Sequence, residues 1–401
     1  MKECIVKISS RTDVYEVLRQ KIFFSDDQVM ELSAHAIPIE ASINLRSLFP
    51  NIKVVAKQGK SQASGFIGGK YSGSIGVPEA MKVALENRDV FIKIGFVSVE
   101  DNSTLSELIF YKYIDDNIVR AGRSPNFVTF LLGYYTPAPL SLGEGIWESV
   151  IKQVPSAKDS NVVTVTITER SKGNTLTEEI SKDISSLNEK AFEQKYKMII
   201  FQVLYSLREL FAFGMKHNDL ILSNVFVEPS QDLIYEVSPG KFYRTTGWIA
   251  KIYDYDLATF NSMKPTNSRV SNGFCLDTGV CHNYNDKFDL YLFLWGFWSA
   301  SSPTMKKFAS LISKTFVLDS KWKFRKTVVR SKPEVPFRLG GRMCGKWKYE
   351  GTWFCEPLLK VPDDEIMSFT NALELTDFFD SLRISPDQVV GKTWRSVFAE
   401  K

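Results

Sequence analysis

A run of twelve residues, Lys216-His217-Asn218-Asp219-Leu220-Ile221-Leu222-Ser223-Asn224-Val225-Phe226-Val227, places Asp219 five residues before Asn224. Thirty residues beyond Asn224 stands Asp254, within Ile252-Tyr253-Asp254-Tyr255-Asp256-Leu257-Ala258. A carboxylate at that distance from an amide, on a loop between a helix and an apolar strand, can hold a general base beside a metal ligand. A second carboxylate after another strand can complete an oxygen-ligand site. Hard Mg²⁺ prefers oxygen and keeps some of its waters, so one carboxylate, one amide oxygen and phosphate oxygens suffice without a closed protein cage. The chemistry such a set could perform is phosphoryl transfer. The competing reading makes the same three residues loop caps, because Asx side chains readily bond nearby backbone.

Such a loop needs elements to carry it. Phe192, Tyr196, Ile199, Ile200, Val203, Leu207, Leu210 and Phe211 recur at three- and four-residue spacing. That spacing predicts an amphipathic helix with its stripe on a core, and Gly214 is placed to end it. Val225-Phe226-Val227 is β-rich and predicts one arm of a hairpin whose other arm runs from Trp248 to Tyr253. The two acidic loops would then emerge side by side. A cation for phosphate oxygens is offered by Lys93, inside the apolar run Val90-Phe91-Ile92-Lys93-Ile94-Gly95-Phe96-Val97. A lysine in a buried strand is costly unless paired, and Glu107 on the following segment (Leu105, Leu108, Ile109, Tyr113, Ile114) is the natural partner. Thr104-x-x-Glu107 also fits a helix capping box, in which Glu107 would need no lysine. The ion pair is the favoured reading.

Together these residues resemble the catalytic and metal-binding loops of eukaryotic-type protein kinases, and Lys93 resembles the lysine of the third strand in that family's N-lobe. The resemblance implies an α+β, two-lobed protein kinase-like fold with a β-rich N-lobe and a mainly helical C-lobe. It implies that Asp219 accepts or orients the substrate hydroxyl proton, that Lys93 and Glu107 pair at the ATP phosphates, and that Asn224 and Asp254 hold Mg²⁺. His217 would be architectural. The stretch Gln58 to Phe66, with Gly59 and Gly65, stands where a phosphate-covering loop is expected; it lacks Gly-x-Gly-x-x-Gly spacing and fits an anion nest or a flexible loop equally. Val162 to Thr168 reads as a strand, and Glu169-Arg170-Ser171-Lys172-Gly173 looks like the hinge whose backbone, at Glu169 and Ser171, would bind adenine. Asp289-Leu290-Tyr291-Leu292-Phe293-Leu294-Trp295 looks like the central C-lobe helix whose leading Asp braces the catalytic loop. Ala372 to Phe379 resembles the helix that closes such a domain.

Departures shape the reading. Asn218 and Ile221 stand where protein kinases usually carry an Arg and a Lys, so activity independent of activation-loop phosphorylation is expected, and either another cation neutralises the transferred group or turnover is slow. Asp-Tyr-Asp replaces Asp-Phe-Gly, a pattern similar to divergent serine/threonine kinases of large cytoplasmic DNA viruses. The expected activity is transfer from ATP to Ser or Thr hydroxyls of proteins, with the chain itself among the acceptors. The alternatives are a small-molecule kinase of aminoglycoside or choline type and a pseudokinase scaffold.

Composition agrees with a globular enzyme, at 401 residues of which 44% are hydrophobic and 13% aromatic. Such a chain can bury a sizeable core. A formal charge of +4 implies neither nucleic acid nor membrane as partner. Lys321, Lys323, Arg325, Lys326, Arg330 and Lys332 interleave with Trp322 and Phe324, which reads as a solvated basic face ahead of a docking patch. Five irregularly spaced cysteines point to reduced thiols in an intracellular, cytoplasmic setting (host cytoplasm or virion if viral). Cys275, Cys281 and His282 match no standard zinc spacing. Met1 to Ser10 has no signal-peptide core. The expected boundaries are an extension at 1–50, an N-lobe at 51–168, a C-lobe at 169–385 and a tail at 386–401. Two insertions are expected, one near Gly73 to Asp89 with a short helix from Pro78, the other an extended hairpin between Glu228 and Gly247.

Overall fold

The computed structural model describes residues 49, 52–54, 63–68, 89–97, 103–137, 144–153, 162–260, 267, 270, 288–297, 302–316, 337–339, 342–344, 369–374 and 377–399. Gly59, the helix expected from Pro78, Cys275, Cys281, His282, the basic stretch 321–332 and nearly all of the 1–50 extension lie outside them. The chain divides into two compact units. One comprises Met1–Asp116, Val128–Arg170 and Met263–Arg269, the other Asn117–Phe127, Ser171–Ser262 and Val270–Lys401.

The first unit is built on a fully antiparallel sheet of strands β1 (Lys53–Val54), β2 (Ala63–Gly68), β3 (Val90–Val97), β4 (Phe130–Pro137) and β5 (Val162–Glu169), in the order β1-β2-β3-β5-β4. Helix α1 (Ser103–Ile114) packs on β3, β4 and β5, and helix α2 (Glu144–Gln153) also belongs to this unit. Successive strand residues face opposite sides, so Lys93 and Gly95 share a face. A Cβ on Gly95 would sit 2.4 Å from Thr104 Cβ, which identifies that face as the one against α1. On the other face Phe96 meets Trp147 of α2 with ring centroids 6.3 Å apart. Burial on both sides explains why β3 is nearly continuous apolar sequence rather than an alternating one. Gly65 lies within β2 opposite Lys93, so it is a strand residue and not part of a loop.

The second unit is organised by one long helix. Strand β6 (Asn174–Thr175) leads into α3 (Leu176–Ser186), capped by a reciprocal Thr175–Glu178 box, and Asn188 caps α4 (Glu189–Ala212). Both caps satisfy amide donors that a helix start leaves open. The apolar stripe expected on α4 is buried from Phe192 to Leu210, with Phe211 half-buried. Gly214 follows with φ 67°, a left-handed stop that favours glycine. Strand β7 (Met215–Lys216) and a 3₁₀ turn (Leu222–Asn224) come next, then β8 (Val225–Pro229). Strands β9 (Leu233–Ser238) and β10 (Lys241–Thr245) form the expected inserted hairpin, and β11 (Trp248–Ile252) pairs antiparallel with β8. Strand β12 (Thr259–Phe260) pairs with β7. Helices α5 (Phe288–Gly296) and α6 (Pro303–Thr315) follow, then the small hairpin of β13 (Phe337–Leu339) and β14 (Arg342–Cys344).

Two expectations need correction at the C-terminal end. Of the helix expected across Ala372 to Phe379, the described residues to Glu374 are helical (α7, Phe369–Glu374), but Asp377–Leu382 form a 3₁₀ turn. Glu374 is drawn to Arg208 and Lys241, while the rings of Phe378 and Phe379 both meet Phe316, at 5.3 and 6.2 Å, and Phe379 also meets Phe201 at 5.4 Å. Residues expected as a tail from 386 are built into the sheet. Strand β15 (Arg383–Ile384) pairs with β10, and β16 (Thr393–Arg395) runs parallel to β9, giving the order β15-β10-β9-β16. No helix among the described residues is long and apolar enough to cross a membrane.

Candidate functional site

Within the first unit, Lys93 Nζ lies 2.8 Å from Glu107 Oε1, with Glu107 almost fully buried. The favoured ion pair therefore forms. Thr104 does not act as a cap: its hydroxyl donates to the Phe96 carbonyl at 3.3 Å and ties α1 to β3. At the end of β5, Glu169 N–H donates to Thr129 O at 2.9 Å, and Glu169 Oε1 accepts Thr129 N–H at 3.0 Å. Arg170 N–H donates to Asp89 O.

In the second unit the remaining candidates are assembled by backbone hydrogen bonds that sequence proximity does not suggest. β7 and β12 pair through Lys216 and Thr259, so the loops beginning at His217 and ending at Ala258 leave from neighbouring strand ends. Asp289, at the start of α5, accepts His217 N–H at 2.6 Å and Asn218 N–H at 2.7 Å. Asn218 has φ 65° and Asp254 φ 70°. Such left-handed conformations cost a non-glycine residue about 1–2 kcal/mol and persist only where the surroundings impose them. For Asn218 those surroundings are explicit, since its Nδ2 donates to Leu257 O at 2.9 Å and to Thr259 Oγ1 at 3.1 Å.

His217 is fully buried and serves as a strut. Its Nδ1 accepts Asp219 N–H at 3.2 Å. The proton therefore sits on Nε2, which donates to Tyr253 O at 3.0 Å. The loop of His217 to Asn224 and the Asp254 loop are thus joined through one imidazole. Two further bonds close the junction: Tyr253 N–H donates to Asn224 O at 3.2 Å, and the Tyr253 hydroxyl donates to Ser223 O at 2.6 Å. The Tyr253 ring stacks on Phe226 with centroids 4.1 Å apart. Asn224 Nδ2 donates to Asp219 O at 2.8 Å and to Asp219 Oδ2 at 3.1 Å. That fixes the amide orientation and turns its carbonyl oxygen, the metal-capable atom, away from Asp219. Asp219, Asn224 and Asp254 are therefore held on two adjoining loops of one unit.

Ser171 and its neighbours also lie in this unit. Ser171 Oγ donates to Glu228 Oε1 at 2.5 Å, Lys172 N–H donates to the same oxygen at 3.0 Å, and Gly173 N–H donates to Ser171 Oγ at 3.2 Å. Of the backbone amides from Glu169 to Gly173, only that of Ser171 makes no hydrogen bond among the described residues.

Sequence reasoning missed two residues that shape the site. Gln202, in the middle of α4, donates to Trp248 O and Thr245 Oγ1 and accepts Ala250 N–H at 2.6 Å and Asn126 Nδ2 at 2.8 Å, pinning β11 to the helix. A glutamine inside an otherwise apolar run was the available signal. Glu228 left none, because a charged residue near a strand end reads as solvent-facing.

Among the described residues no group of three His, Cys, Asp or Glu side chains could hold a metal. No protein-family model matches the sequence, and no curated protein matches it. Among solved structures the chain is similar to one described as the Rad53 kinase domain and SCD2, at 14% identity and a TM-score of 0.35, over 86% of this chain and 92% of that one.

Proposed function

We propose that the chain is an ATP-dependent phosphotransferase of protein-kinase type that transfers the γ-phosphoryl group to Ser or Thr hydroxyls of proteins. The observation that carries the reading is the Asp219–Asn224 hydrogen-bonded pair, joined through His217 and Tyr253 to the loop of Asp254. Asn224 and Asp254 are hard oxygen donors and too few to close a cage, which suits a Mg²⁺ ion whose other ligands are waters and phosphate oxygens. Such an ion would neutralise charge on the phosphates. Asp219, oriented by Asn224, accepts or directs the proton of the acceptor hydroxyl. Lys93, held by Glu107, supplies the cation for nucleotide phosphates. Ser171 N–H is the backbone donor this reading assigns to adenine.

The test is transfer from γ-labelled ATP with Mg²⁺ onto casein, histone, basic-protein substrates and the chain itself, comparing wild type with Asp219→Asn and Asp254→Ala. Label on protein with wild type alone, nucleotide binding retained by Asp219→Asn and weakened in Asp254→Ala, supports the reading. Undiminished transfer by both variants sinks it. Nucleotide binding without protein label redirects the search to small-molecule acceptors, a reading that Ile221 in place of the usual lysine favours. No nucleotide binding leaves an interaction scaffold.

A further inference from the structure

Glu228 lies four residues beyond Asn224, on β8, and collects three partners from two chain segments. Its Oε1 accepts from Ser171 Oγ and Lys172 N–H, while its Oε2 lies 3.5 Å from Lys251 Nζ on the neighbouring strand, three residues before Asp254. Both side chains of the ion pair are largely buried, with 14% and 15% of their surface exposed. The backbone at Gly173 approaches so closely that a Cβ there would lie 2.0 Å from Val227 O, and β6 continues the contact by pairing Asn174 with Val227 and Thr175 with Phe226. The segment 171–175 is therefore seated on the same hairpin whose ends carry Asn224 and Asp254.

We infer that Glu228 is a positioning residue of the nucleotide site: it locks Ser171 and Lys172 onto the β8–β11 hairpin and so presets the Ser171 amide in register with the metal-binding loop. The inference rests on the phosphotransferase reading above. Hydrogen bonding explains the division of labour. With the carboxylate engaging Lys172 N–H, and Ser171 Oγ engaging Gly173 N–H, the amides that follow Ser171 are consumed internally, and the segment presents one donor in a fixed direction. Lys251 neutralises the carboxylate, which allows Glu228 to remain largely out of water.

The experiment compares wild type, Glu228→Ala and Glu228→Gln in three measurements: hydrogen–deuterium exchange of the unliganded protein, affinity for a fluorescent ATP analogue with Mg²⁺, and steady-state transfer from ATP. Glutamine keeps an oxygen for Ser171 and Lys172 but gives up the charge facing Lys251. Glu228→Ala should speed exchange across 171–175 and weaken nucleotide affinity by about tenfold, the scale of losing hydrogen bonds to a charged acceptor, with KM for ATP rising more than kcat falls. Glu228→Gln should fall between wild type and Glu228→Ala, because an oxygen still accepts from Ser171 and Lys172 while the largely buried Lys251 loses its counter-charge. Unchanged exchange in Glu228→Ala overturns the clamp, and faster exchange with unchanged affinity overturns its positioning role. A wild type that binds no adenine nucleotide overturns the phosphotransferase reading instead, while exchange still reports on the clamp. Should Glu228→Ala not fold, Ser171→Ala removes one donor at the cost of a single atom; a smaller shift in the same direction supports the inference, and none overturns it.

Discussion

Asp289 Oδ1 accepts the backbone N–H of Asn218 at 2.7 Å across 71 residues of sequence, and its other oxygen accepts that of His217. One buried carboxylate thereby fixes the strained turn immediately before Asp219. Asp289→Ala should leave two buried amides without an acceptor and cost about 3 kcal/mol of stability. Transfer should fall further than the stability loss explains, because Asp219 loses its presentation. Urea unfolding together with single-turnover transfer checks both; a variant of native stability and native rate would refute the bracing role.

The Lys93–Glu107 pair leads to a second expectation. If the chain is the phosphotransferase proposed above, Lys93→Met should lower transfer by roughly 10²-fold or more, through loss of the cation assigned to the nucleotide phosphates. Glu107→Gln should lower transfer while shifting the melting temperature by only a few degrees, because an oxygen remains to accept from Lys93. Steady-state transfer assays and thermal melts distinguish this from a capping role, in which stability alone would change by about 1 kcal/mol.

Stability should respond to pH in two opposite windows. Burial acts to raise the pKa of Glu179, but hydrogen bonds from Lys195 and Asn174 and the charges of Lys195 and Lys182 outweigh it and hold the carboxyl below its ordinary 4.5. Glu374 is likewise lowered, burial being outweighed by Lys241, Arg208 and Ser238. A folded pKa below the unfolded one contributes stability above about pH 4.5 that is lost as pH falls through the folded value. Glu209 is opposite: burial prevails over Ser396, Val397 and nearby arginines and raises its pKa above 4.5. Its contribution is therefore lost as pH rises from about 4.5 through that raised value. Glu374→Gln should flatten the acid loss and Glu209→Gln the loss at higher pH in urea titrations. Three superimposable profiles would contradict the assignment.

Removal of the chain from residue 389 onward should destabilise the second unit strongly. Ser396 Oγ and Val397 N–H both donate to Glu209, Arg208 stacks on Phe398 at 4.4 Å, and Arg395 Nε bonds Glu236 Oε2 at 2.7 Å. Loss of these partners strands buried charge on α4, at about 3–5 kcal/mol. Faster exchange along α4 and the His217 loop is the expected readout. A truncated protein that melts like the full chain would show the segment to be dispensable.

How much of this was legible in the residues depends on the range of the forces involved. Helix α4, its stop at Gly214, the β8–β11 hairpin with an inserted hairpin between its arms, and the ordering of Lys93, Asp219, Asn224 and Asp254 are all readable from the residues. Those features follow from periodicity, glycine conformational freedom and spacing, which act over a few residues. Tertiary structure alone decided between Lys93 and a capping role for Glu107, since both readings fit the same local pattern and only the approach of α1 to β3 selects one. It alone placed Gly65 in a strand, gave Asp377–Leu382 a 3₁₀ form, wove residues beyond 386 into the sheet of β9 and β10, and made Glu228 a hub. Each of these outcomes depends on a partner distant in sequence. Folding satisfies buried donors and charges wherever a partner can be brought close, and no local pattern specifies which partner that will be.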